Sequence, residues 1–417
     1  MLRFLLYNIF CIFALSFIPI GFIHHGSGNH YKRLFSLEAT HQHNTLFVFG
    51  ITGNLGASIV QWIQSEMNCS DKKDTFEFVL PFDSVIGTYR CMDDGYTKFM
   101  ETFASFPCDL QLIPFNDTPA IILALKNATH VLTTIPPVLR LVDSDSNMNI
   151  EKRSCSMNNP SEIFVDPVLK YVLQGEVGGT TKESIIRKGT WVGYVSTTGV
   201  YGDHKGDWVT EHSETRALNE ANGRNKAQGF LKSEKQWSKI AINNSDDYTY
   251  CFHLKIFRCA GIYSSKASAL HTVLRKGLSK KSSQGKEVYT SRIHIDDVSR
   301  AILSSMYKHK SFFYNKNGSV DIFNIGDEEP ASRREVMEYA YELLKANHFI
   351  NDSFYKDGLY EPSLKISDRG RRRLTENKRV DSRKMKNDLL NNHLLFPTYR
   401  EGIMHIVKYS KHFHTLL

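Results

Sequence analysis

The sequence lacks the features of several common protein classes. Its seven cysteines are an odd number and are widely spaced, with no Cys-x-x-Cys pair and no Cys/His cluster at zinc-finger spacing. This pattern indicates neither a disulfide framework nor a structural metal, so we predict no metal site. Proline is scarce, at 12 of 417 residues, and 41% of the residues are hydrophobic. The composition is therefore that of an ordinary globular protein and not of a disordered or collagen-like chain.

Positive charge is concentrated in one segment. The formal net charge is +8, but residues 365–386 hold ten Lys or Arg against three acidic residues and supply +7 of it. A nucleic-acid-binding protein spreads its cations over a docking surface with aromatic side chains between them. We therefore predict no nucleic-acid partner and interpret 365–386 as a solvated loop and helix edge.

Acidic residues are also missing from the beginning of the chain. The first is Glu38, and residues 4–23 form the one long apolar run, which Arg3 precedes. This order is typical of a signal peptide or signal anchor, which we assign to 1–24, with a transit-like or linker segment at 25–43. We predict entry into the secretory pathway. Onward sorting to a plastid-like organelle and membrane anchoring by an uncleaved leader are the two alternatives left open.

After this leader, short β-like runs alternate with longer amphipathic stretches. The alternation predicts a parallel sheet with helices on both faces. Further helices are predicted at 297–308 and 332–346, and polar surface insertions at 68–77 and 141–162. The predicted strands are Thr45–Gly50, Ser84–Tyr89, Leu110–Pro114, His130–Ile135, Trp191–Ser196 and His253–Cys259.

Three glycines stand between the first strand and an amphipathic helix. Gly50 permits a sharp exit from the strand, Gly53 lets the backbone approach a pyrophosphate, and Gly56 allows close packing of the helix on the strand. The helix N-terminus then offers N–H groups and partial positive charge to phosphates. A plain glycine-rich turn is the alternative, and the absence of Gly-Lys-Ser/Thr disfavours a nucleotide triphosphatase. The predicted cofactor loop comprises Gly50, Thr52, Gly53, Asn54, Leu55 and Gly56.

The end of the second strand indicates which dinucleotide binds. Thr88, Tyr89 and Arg90 stand where an acidic residue usually binds the ribose of NAD. A cation and a hydroxyl group at this point suit a 2′-phosphate, so we favour NADP over NAD. The alternative is that Arg90 is an ordinary solvated arginine.

The segment WVGYVSTTGVYGDHKGDWVTE (191–211) resembles the region after the fifth strand in the extended short-chain dehydrogenase/reductase family, also called the NAD-dependent epimerase/dehydratase family. Five further segments resemble that family in the same order, the last two being similar to an uncharacterised plant and bacterial branch. They are THVLTTIPP (129–137), LKIFRCAGIY (254–263), SRIHIDDVSRAI (291–302), FNIGDEEPASRREV (323–336) and NKRVDSRKMKNDL (377–389) followed by FPTYREG (396–402).

The resemblance covers roughly 45–410 and implies an α/β fold of Rossmann type. It implies a doubly wound parallel sheet in a cofactor-binding domain at 44–263, with a smaller C-terminal α/β substrate lobe at 264–417 interleaved with that core. It also implies that Thr134, Ile135 and Pro136, at the exit of the fourth strand, line the cofactor.

Thr197 occupies the position of the family's catalytic serine or threonine, three residues before Val200 of the Val-Tyr-Gly motif. The resemblance implies that its hydroxyl group donates to a substrate carbonyl oxygen where charge develops during hydride transfer. The alternative is a threonine at a strand end whose hydroxyl group bonds to nearby backbone.

The family's Tyr-x-x-x-Lys pair is absent from the helix that follows. No tyrosine occurs between Tyr201 and Tyr248, and the match Tyr201-Gly-Asp-His-Lys205 has the composition of a turn. We predict that Thr197, Tyr201 and Lys232 form the catalytic set, with Tyr201 lining or closing the pocket and Lys232 serving the ribose. Two neighbouring lysines, Lys226 and Lys235, are alternatives to Lys232.

Three residues are predicted to contact a small-molecule substrate. Arg224 could bind an anionic group, Arg292 a phosphate or carboxylate, and His294 the edge of the substrate. The alternative for Arg224 is an ordinary arginine on a helix surface, and the alternative for His294 is a buried, hydrogen-bonded histidine. Asp297 is interpreted as the N-cap of the helix that follows it.

The sequence supports two functional hypotheses. The first is an NAD(P)-dependent oxidoreductase or an epimerase/dehydratase-like enzyme that acts on a small polar metabolite without the usual tyrosine. The second is a cofactor-binding sensor or scaffold that does not turn over. A membrane-anchored structural protein is a third alternative, which depends on an uncleaved leader.

Overall fold

The computed structural model describes residues 43–68, 82–141, 162–173, 185–217, 226–242, 244–245, 248–249, 252–279, 288–309, 318–351, 355–356 and 376–415. These residues belong to one compact unit, His43–Leu417. The predicted leader, Arg224, most of both predicted insertions and residues 365–375 of the basic segment lie outside the described residues. Within the described ranges, we find no helix with the length and apolar character of a membrane span.

Seven parallel strands form the central sheet, which confirms the predicted fold class. The strands are β1 (Thr45–Phe49), β2 (Ser84–Tyr89), β3 (Asp109–Pro114), β4 (His130–Thr133), β5 (Trp191–Thr197), β6 (His253–Cys259) and β7 (Ser319–Ile325). Their spatial order is β3-β2-β1-β4-β5-β6-β7, so the winding direction reverses between β1 and β4. All six predicted strands are present, whereas β7 had not been predicted.

Helices flank the sheet and build the C-terminal part of the described chain. The predicted helices at 297–308 and 332–346 correspond to the helices Ile295–Tyr307 and Arg333–Ala346. The helices are α1 (Asn54–Asn68), α2 (Asp94–Thr102), α3 (Thr118–Asn127), α4 (Leu169–Leu173), α5 (Lys226–Ala241), α6 (Ala269–Lys276), α7 (Ile295–Tyr307), α8 (Arg333–Ala346), α9 (Arg383–Leu389), α10 (Tyr399–Tyr409) and α11 (Lys411–His414), with a 3₁₀ turn at Thr198–Tyr201.

Short strand pairs connect these elements. Among the described residues six such pairs lie outside the main sheet, three parallel and three antiparallel. The pairs are Val138–Leu141 with Glu162–Val165, Trp208–Val209 with Arg379–Val380, Gly261–Tyr263 with Arg292–His294, Tyr289–Thr290 with Ala331–Ser332, Asn244–Ser245 with Tyr248–Thr249, and Leu278–Ser279 with Tyr355–Lys356.

The core lies on both faces of the sheet because β1 is apolar at every position after Thr45. Leu46 and Val48 pack with α1 and α7 on one face, whereas Phe47 and Phe49 pack with α3, α4 and α5 on the other. Successive side chains of a strand point to opposite faces, so a strand covered on both sides must be apolar throughout. A third apolar cluster joins α6, α8 and α10 in the C-terminal part.

The start of α7 differs from the prediction. His294 is the N-cap, and its Nδ1 accepts a hydrogen bond from the N–H of Asp296 at 3.3 Å. Asp297 lies inside the first turn, where its carboxylate accepts from the N–H groups of Leu395 and Phe396 at 2.8 and 3.0 Å. The prediction for Asp297 was wrong because its carboxylate satisfies the backbone of a distant segment instead of that of its own helix.

Candidate functional site

A sharp bend follows β1 at the carboxyl-terminal edge of the sheet. Gly50 has φ +82°, a conformation that side chains with a Cβ rarely adopt. Its N–H donates to Thr88 Oγ1 at 3.0 Å, and the N–H of Ile51 donates to the carbonyl of Thr88 at 3.2 Å. The end of β2 therefore holds the first half of the bend in place.

The other two glycines of the bend meet different constraints. A Cβ on Gly56 would lie 2.5 Å from the carbonyl oxygen of Ile51 and 2.6 Å from that of Gly50, so only glycine lets α1 pack this closely. A Cβ on Gly53 would have a single near neighbour, the Gly50 carbonyl oxygen at 3.2 Å. Gly53 and Asn54 are exposed. The bend thus presents accessible backbone at the N-terminus of a 15-residue helix, a geometry that fits a diphosphate.

The exit of β4 lies against this bend. Thr134 donates its hydroxyl hydrogen to the carbonyl oxygens of Phe49 and Gly50, at 2.9 and 3.3 Å. A Cβ on Gly50 would lie 3.0 Å from a side-chain carbon of Ile135, and Pro136 is exposed. The structure therefore brings the predicted residues of the β1 and β4 exits together at the point where the strand order reverses, which is where open α/β sheets bind ligands.

Arg90 lies at the same edge, directly after β2, and is exposed. Beyond it, the thiol of Cys91 donates to Asp93 Oδ2 at 2.9 Å, and this hydrogen bond raises the pKa of the exposed Cys91 thiol. Asp93 also caps α2 by accepting from the N–H of Tyr96. The end of β2 therefore presents a solvent-accessible guanidinium with a thiol beside it.

Thr197 is the last residue of β5 and is half-buried. Its Oγ1 accepts from the N–H of Gly199 at 3.1 Å, which starts the 3₁₀ turn. A Cβ on Gly199 would lie 3.5 Å from the Cβ of Ala227, so the first turn of α5 packs directly over this segment. The Thr197 hydroxyl group caps the turn with an oxygen lone pair and retains its own hydrogen as a donor.

Tyr201 lies in the interior and not at the surface of a pocket, which differs from its predicted location. Its hydroxyl group donates to Asn324 Oδ1 at 2.7 Å and accepts from Arg258 Nη1 at 3.0 Å. The residue is 0% exposed, and burial raises the pKa of its phenol. The reason is that the 3₁₀ turn directs this side chain back under the strand ends.

Lys232 is exposed on the outer side of α5, where its Nζ lies 3.5 Å from the carbonyl oxygen of Phe164. At 3.6 residues per turn, Lys232 points about 140° away from Ala227, the residue that faces the Thr197 turn. The inner face of α5 instead buries Ser233, Glu234 and Trp237. The alternatives Lys226 and Lys235 are exposed as well.

Arg292 and His294 form contacts within the C-terminal part. Arg292 donates to the carbonyl oxygens of Thr290 and Ala331 at 2.9 and 3.0 Å, and burial lowers its pKa against the opposing effect of Asp327. His294 is 4% exposed, and burial lowers its pKa to about 4, so the imidazole is neutral at pH 7. Its ring packs against the rings of Tyr263, Phe396 and His405.

The sequence analysis missed a buried polar network beside Thr197. Glu234 on α5 pairs with Arg258 on β6, and the two residues are 3% and 5% exposed. Asn324 on β7 completes the network through Tyr201. The one signal in the sequence was an arginine within the otherwise apolar run IFRCA, because a charged residue in a strand covered on both sides requires a partner.

Comparison with known proteins gave matches among solved structures alone, since no family model and no curated protein matches the chain. A functionally unknown conserved protein from Silicibacter pomeroyi DSS is 23% identical with a TM-score of 0.55, and the match covers 87% of this chain and 98% of that one. The dTDP-glucose 4,6-dehydratase of Bacillus anthracis in complex with NAD is 14% identical with a TM-score of 0.54, covering 90% and 100%.

A third solved structure is similar over the same region. It is a mutant of UDP-glucuronic acid 4-epimerase from Bacillus cereus, in which phenylalanine replaces a tyrosine, in complex with NAD and a 4-deoxy-4-fluoro form of UDP-glucuronic acid. It is 14% identical with a TM-score of 0.55, covering 89% and 100%. Identities this low establish a common fold alone. The described chain thus shares its Rossmann-type fold with a dehydratase and an epimerase whose crystals contain NAD.

Proposed function

We propose that this protein is an NAD(P)-dependent oxidoreductase or epimerase/dehydratase-like enzyme that acts on a small polar metabolite. The observation that carries the proposal is the glycine bend after β1. Its accessible backbone at Gly53 and Asn54, at the start of a long helix and at the reversal of the strand order, is suited to a dinucleotide diphosphate.

Each described residue of the edge has a defined task in this proposal. The first N–H groups of α1 bind the diphosphate, and the β4 exit at Thr134 and Ile135 borders the cofactor. Arg90 pairs with a 2′-phosphate, which favours NADP over NAD. Thr197 donates its hydroxyl hydrogen to an oxygen of the substrate. The bound nicotinamide supplies hydride transfer.

The similar structures support the cofactor class and the kind of reaction. Both enzymes named above contain NAD in their crystals, and their names describe a dehydratase and an epimerase of nucleotide-linked sugars. The ordered motifs between residues 45 and 410 support membership of the NAD-dependent epimerase/dehydratase family.

A cofactor-binding sensor without turnover is the second candidate. Two observations favour it: the described part of α5 contains no tyrosine, and the lysines proposed for the ribose point to solvent. Tyr201 is not available as a substitute donor at the surface, because its phenol is buried and bonded to Asn324 and Arg258.

Calorimetric titration of the purified protein with NADPH and NADH tests the cofactor proposal. We expect NADPH to bind, Gly53→Ala to weaken binding at least tenfold because a methyl group obstructs the phosphate, and Gly261→Ala, an exposed glycine outside the bend, to bind normally. Arg90→Ala is expected to weaken NADPH binding about tenfold and to leave NADH binding unchanged. Absence of heat with either nucleotide would overturn the proposal.

Thiol labelling provides an independent readout of the same site. Cys91 is exposed beside Arg90, so bound NADPH should slow its alkylation at pH 8, as followed by mass spectrometry of the Cys91 peptide. Equal labelling rates with and without saturating NADPH would contradict the location that we propose for the 2′-phosphate.

Nicotinamide absorbance separates the enzyme from the sensor. We expect one or more nucleotide-linked or free sugars to cause a change in the nicotinamide absorbance in the wild type and none in Thr197→Val. An epimerase or a dehydratase returns its nicotinamide to the starting state in each turnover, so the sugars are also analysed for conversion by chromatography. A protein that binds NADPH tightly but shows neither an absorbance change nor conversion of any substrate in the panel would favour the sensor.

A further inference from the structure

One buried ion pair lies beneath the turn that carries Thr197. The guanidinium of Arg258 approaches both oxygens of the Glu234 carboxylate, with Nη2 2.8 Å from Oε2 and Nε 3.2 Å from Oε1. The two residues come from different elements, Arg258 from β6 and Glu234 from α5. A two-pronged arginine–carboxylate contact fixes direction as well as distance, because the planar groups must be aligned.

The same ion pair is connected to both ends of the turn. Before the turn, the hydroxyl group of Ser196 donates to Glu234 Oε1 at 2.5 Å. After the turn, Arg258 Nη1 donates to the hydroxyl group of Tyr201 at 3.0 Å. The four residues between these two attachments are 197–200, and the first of them is Thr197.

The attachments are part of the sheet's own register. Ser196, Arg258 and Asn324 are direct neighbours across β5, β6 and β7, so their side chains form a row on one face of the sheet. Tyr201 donates to Asn324 Oδ1, and Asn324 in turn donates through Nδ2 to the carbonyl oxygens of Val209 and Asp381, at 3.4 and 3.2 Å. The row is thereby connected to the loop that follows the turn.

Stability alone does not explain a charged pair at this location. Well-packed apolar residues of similar volume usually stabilise a core as well as a buried ion pair does, or better. A satisfied polar network instead selects one arrangement, because each alternative leaves a buried donor or acceptor without a partner. The arrangement selected here is the geometry of the segment that carries the Thr197 hydroxyl group.

We propose that Glu234 and Arg258 are positioning residues that clamp the Thr197 turn at its two ends, and that Tyr201 is the second attachment point of this clamp and not a proton donor. The inference rests on the proposed function for the role of Thr197. The clamp itself is a property of the protein without any nucleotide.

The first experiment measures amide hydrogen exchange in the absence of nucleotide. In the double variant Glu234→Met/Arg258→Met, apolar side chains replace the pair, so we expect the melting temperature to equal or exceed that of the wild type. Amides of residues 197–201 should nevertheless exchange at least tenfold faster. Unchanged exchange in this folded double variant would overturn the clamp.

Two single variants keep the test decisive if the double variant does not fold. Ser196→Ala removes the first attachment and Tyr201→Phe the second, and each should speed exchange of the turn several-fold. Ser299→Ala is the matched control, since it removes a buried serine hydroxyl group on α7 that contacts Ser58 at 2.9 Å. Ser299→Ala should leave amide exchange at 197–201 unchanged. If it accelerated this exchange as much as Ser196→Ala and Tyr201→Phe do, the two attachments would have no specific role in holding the turn.

The second experiment uses NADPH and the substrate found in the panel of sugars. If the clamp positions Thr197, the double variant should lose turnover to the extent that Thr197→Val does, with the KM and the affinity for NADPH changed less than twofold. Wild-type turnover in the double variant would overturn the positioning role. Failure of the wild type to bind NADPH would refute the proposed function and leave the exchange result to decide on the clamp.

Discussion

Strand β6 carries two ion pairs, and the pairs differ in burial. At the carboxyl end, Arg258 and Glu234 have side chains that are 6% and 4% exposed. Toward the amino end, Lys255 pairs with Asp321, and these side chains are 16% and 43% exposed. The first pair is held in the interior by hydrogen bonds from Ser196 and to Tyr201, whereas the second is partly exposed.

Buried titratable groups at the two edges of the sheet differ in the partners that surround them. At the carboxyl edge, neighbouring elements supply hydrogen-bond partners for both members of the Arg258–Glu234 pair. At the amino edge, His130, His253 and His309 lie together, with ring centroids 4.8 Å apart for His253 and His309 and 6.4 Å for His130 and His309. Burial lowers the pKa of His130 to about 3 and of His309 to about 4, so these rings are neutral at pH 7.

The comparison shows at which edge of the sheet this protein buries an ion pair. Desolvation is tolerated at the carboxyl edge, where directional pairing fixes the Thr197 turn. At the amino edge, where the described residues include no candidate functional group, the side chains remain uncharged or partly exposed. We expect the two edges to respond to different perturbations.

Arg258→Met should produce the largest loss of stability. The change leaves the Glu234 carboxylate buried without its cation, which costs about 3–5 kcal/mol of the free energy of unfolding. Urea unfolding at pH 7.5 measures the loss. A loss below about 1 kcal/mol is what an exposed ion pair gives. It would show that the buried pair contributes no more to stability than the exposed pair does.

Acidification should act on the amino edge. A histidine with a lowered folded-state pKa binds its proton more readily when unfolded, so stability is lost as the pH falls from about 6.5 toward the folded-state values, about 3 for His130 and about 4 for His309. The slope is about 1.4 kcal/mol per pH unit for each histidine that titrates.

The variant His130→Phe isolates one of these histidines. The imidazole packs against the rings of Phe82 and Trp191, so a phenyl ring suits the site. We expect the difference in unfolding free energy between pH 7 and pH 5 to decrease by roughly 2 kcal/mol relative to the wild type. The pKa of the neighbouring His253 is lowered by burial and by Lys255 and raised by Asp321, and these groups remain in this variant. Identical pH profiles would show that folding does not lower the pKa of His130.

Asp321→Asn should have the smallest effect. Because the Asp321 carboxylate is 43% exposed, solvent screens its attraction to Lys255, and the free energy of unfolding should change by less than about 1 kcal/mol. Sodium chloride at about 1 M should reduce even this difference between the variant and the wild type. A loss comparable to that of Arg258→Met would show that exposure does not separate the two pairs.

Local pattern was sufficient for most of the fold. The six predicted strands are short, mostly apolar runs. Five of them lie inside the sheet, where both of their faces are covered, and β3 is an edge strand. Strand β7 escaped prediction since its sequence SVDIFNI mixes polar and apolar residues, and its first four positions are only half-buried. It forms by pairing with β6 along all seven residues, which no local pattern shows.

The candidate site was predictable in part. The residues of the bend and of the β4 exit could be found because glycine spacing and strand ends place them at one edge. The orientations of Tyr201 and Lys232 could not be found in this way. The direction of each depends on how a turn and a helix pack on the sheet, and this is set by distant partners such as Asn324 and Phe164.

The sequence by itself determined the alternation of strands and helices and the glycine bend after β1, since both follow from backbone sterics and apolar periodicity over a few residues. Only the tertiary structure decided that Glu234 lies against Arg258, 24 residues further along the chain, and that Tyr201 is directed inward. The physical reason is that desolvated charges acquire their partners from the register of neighbouring strands and the packing of a helix, which are properties of the whole fold.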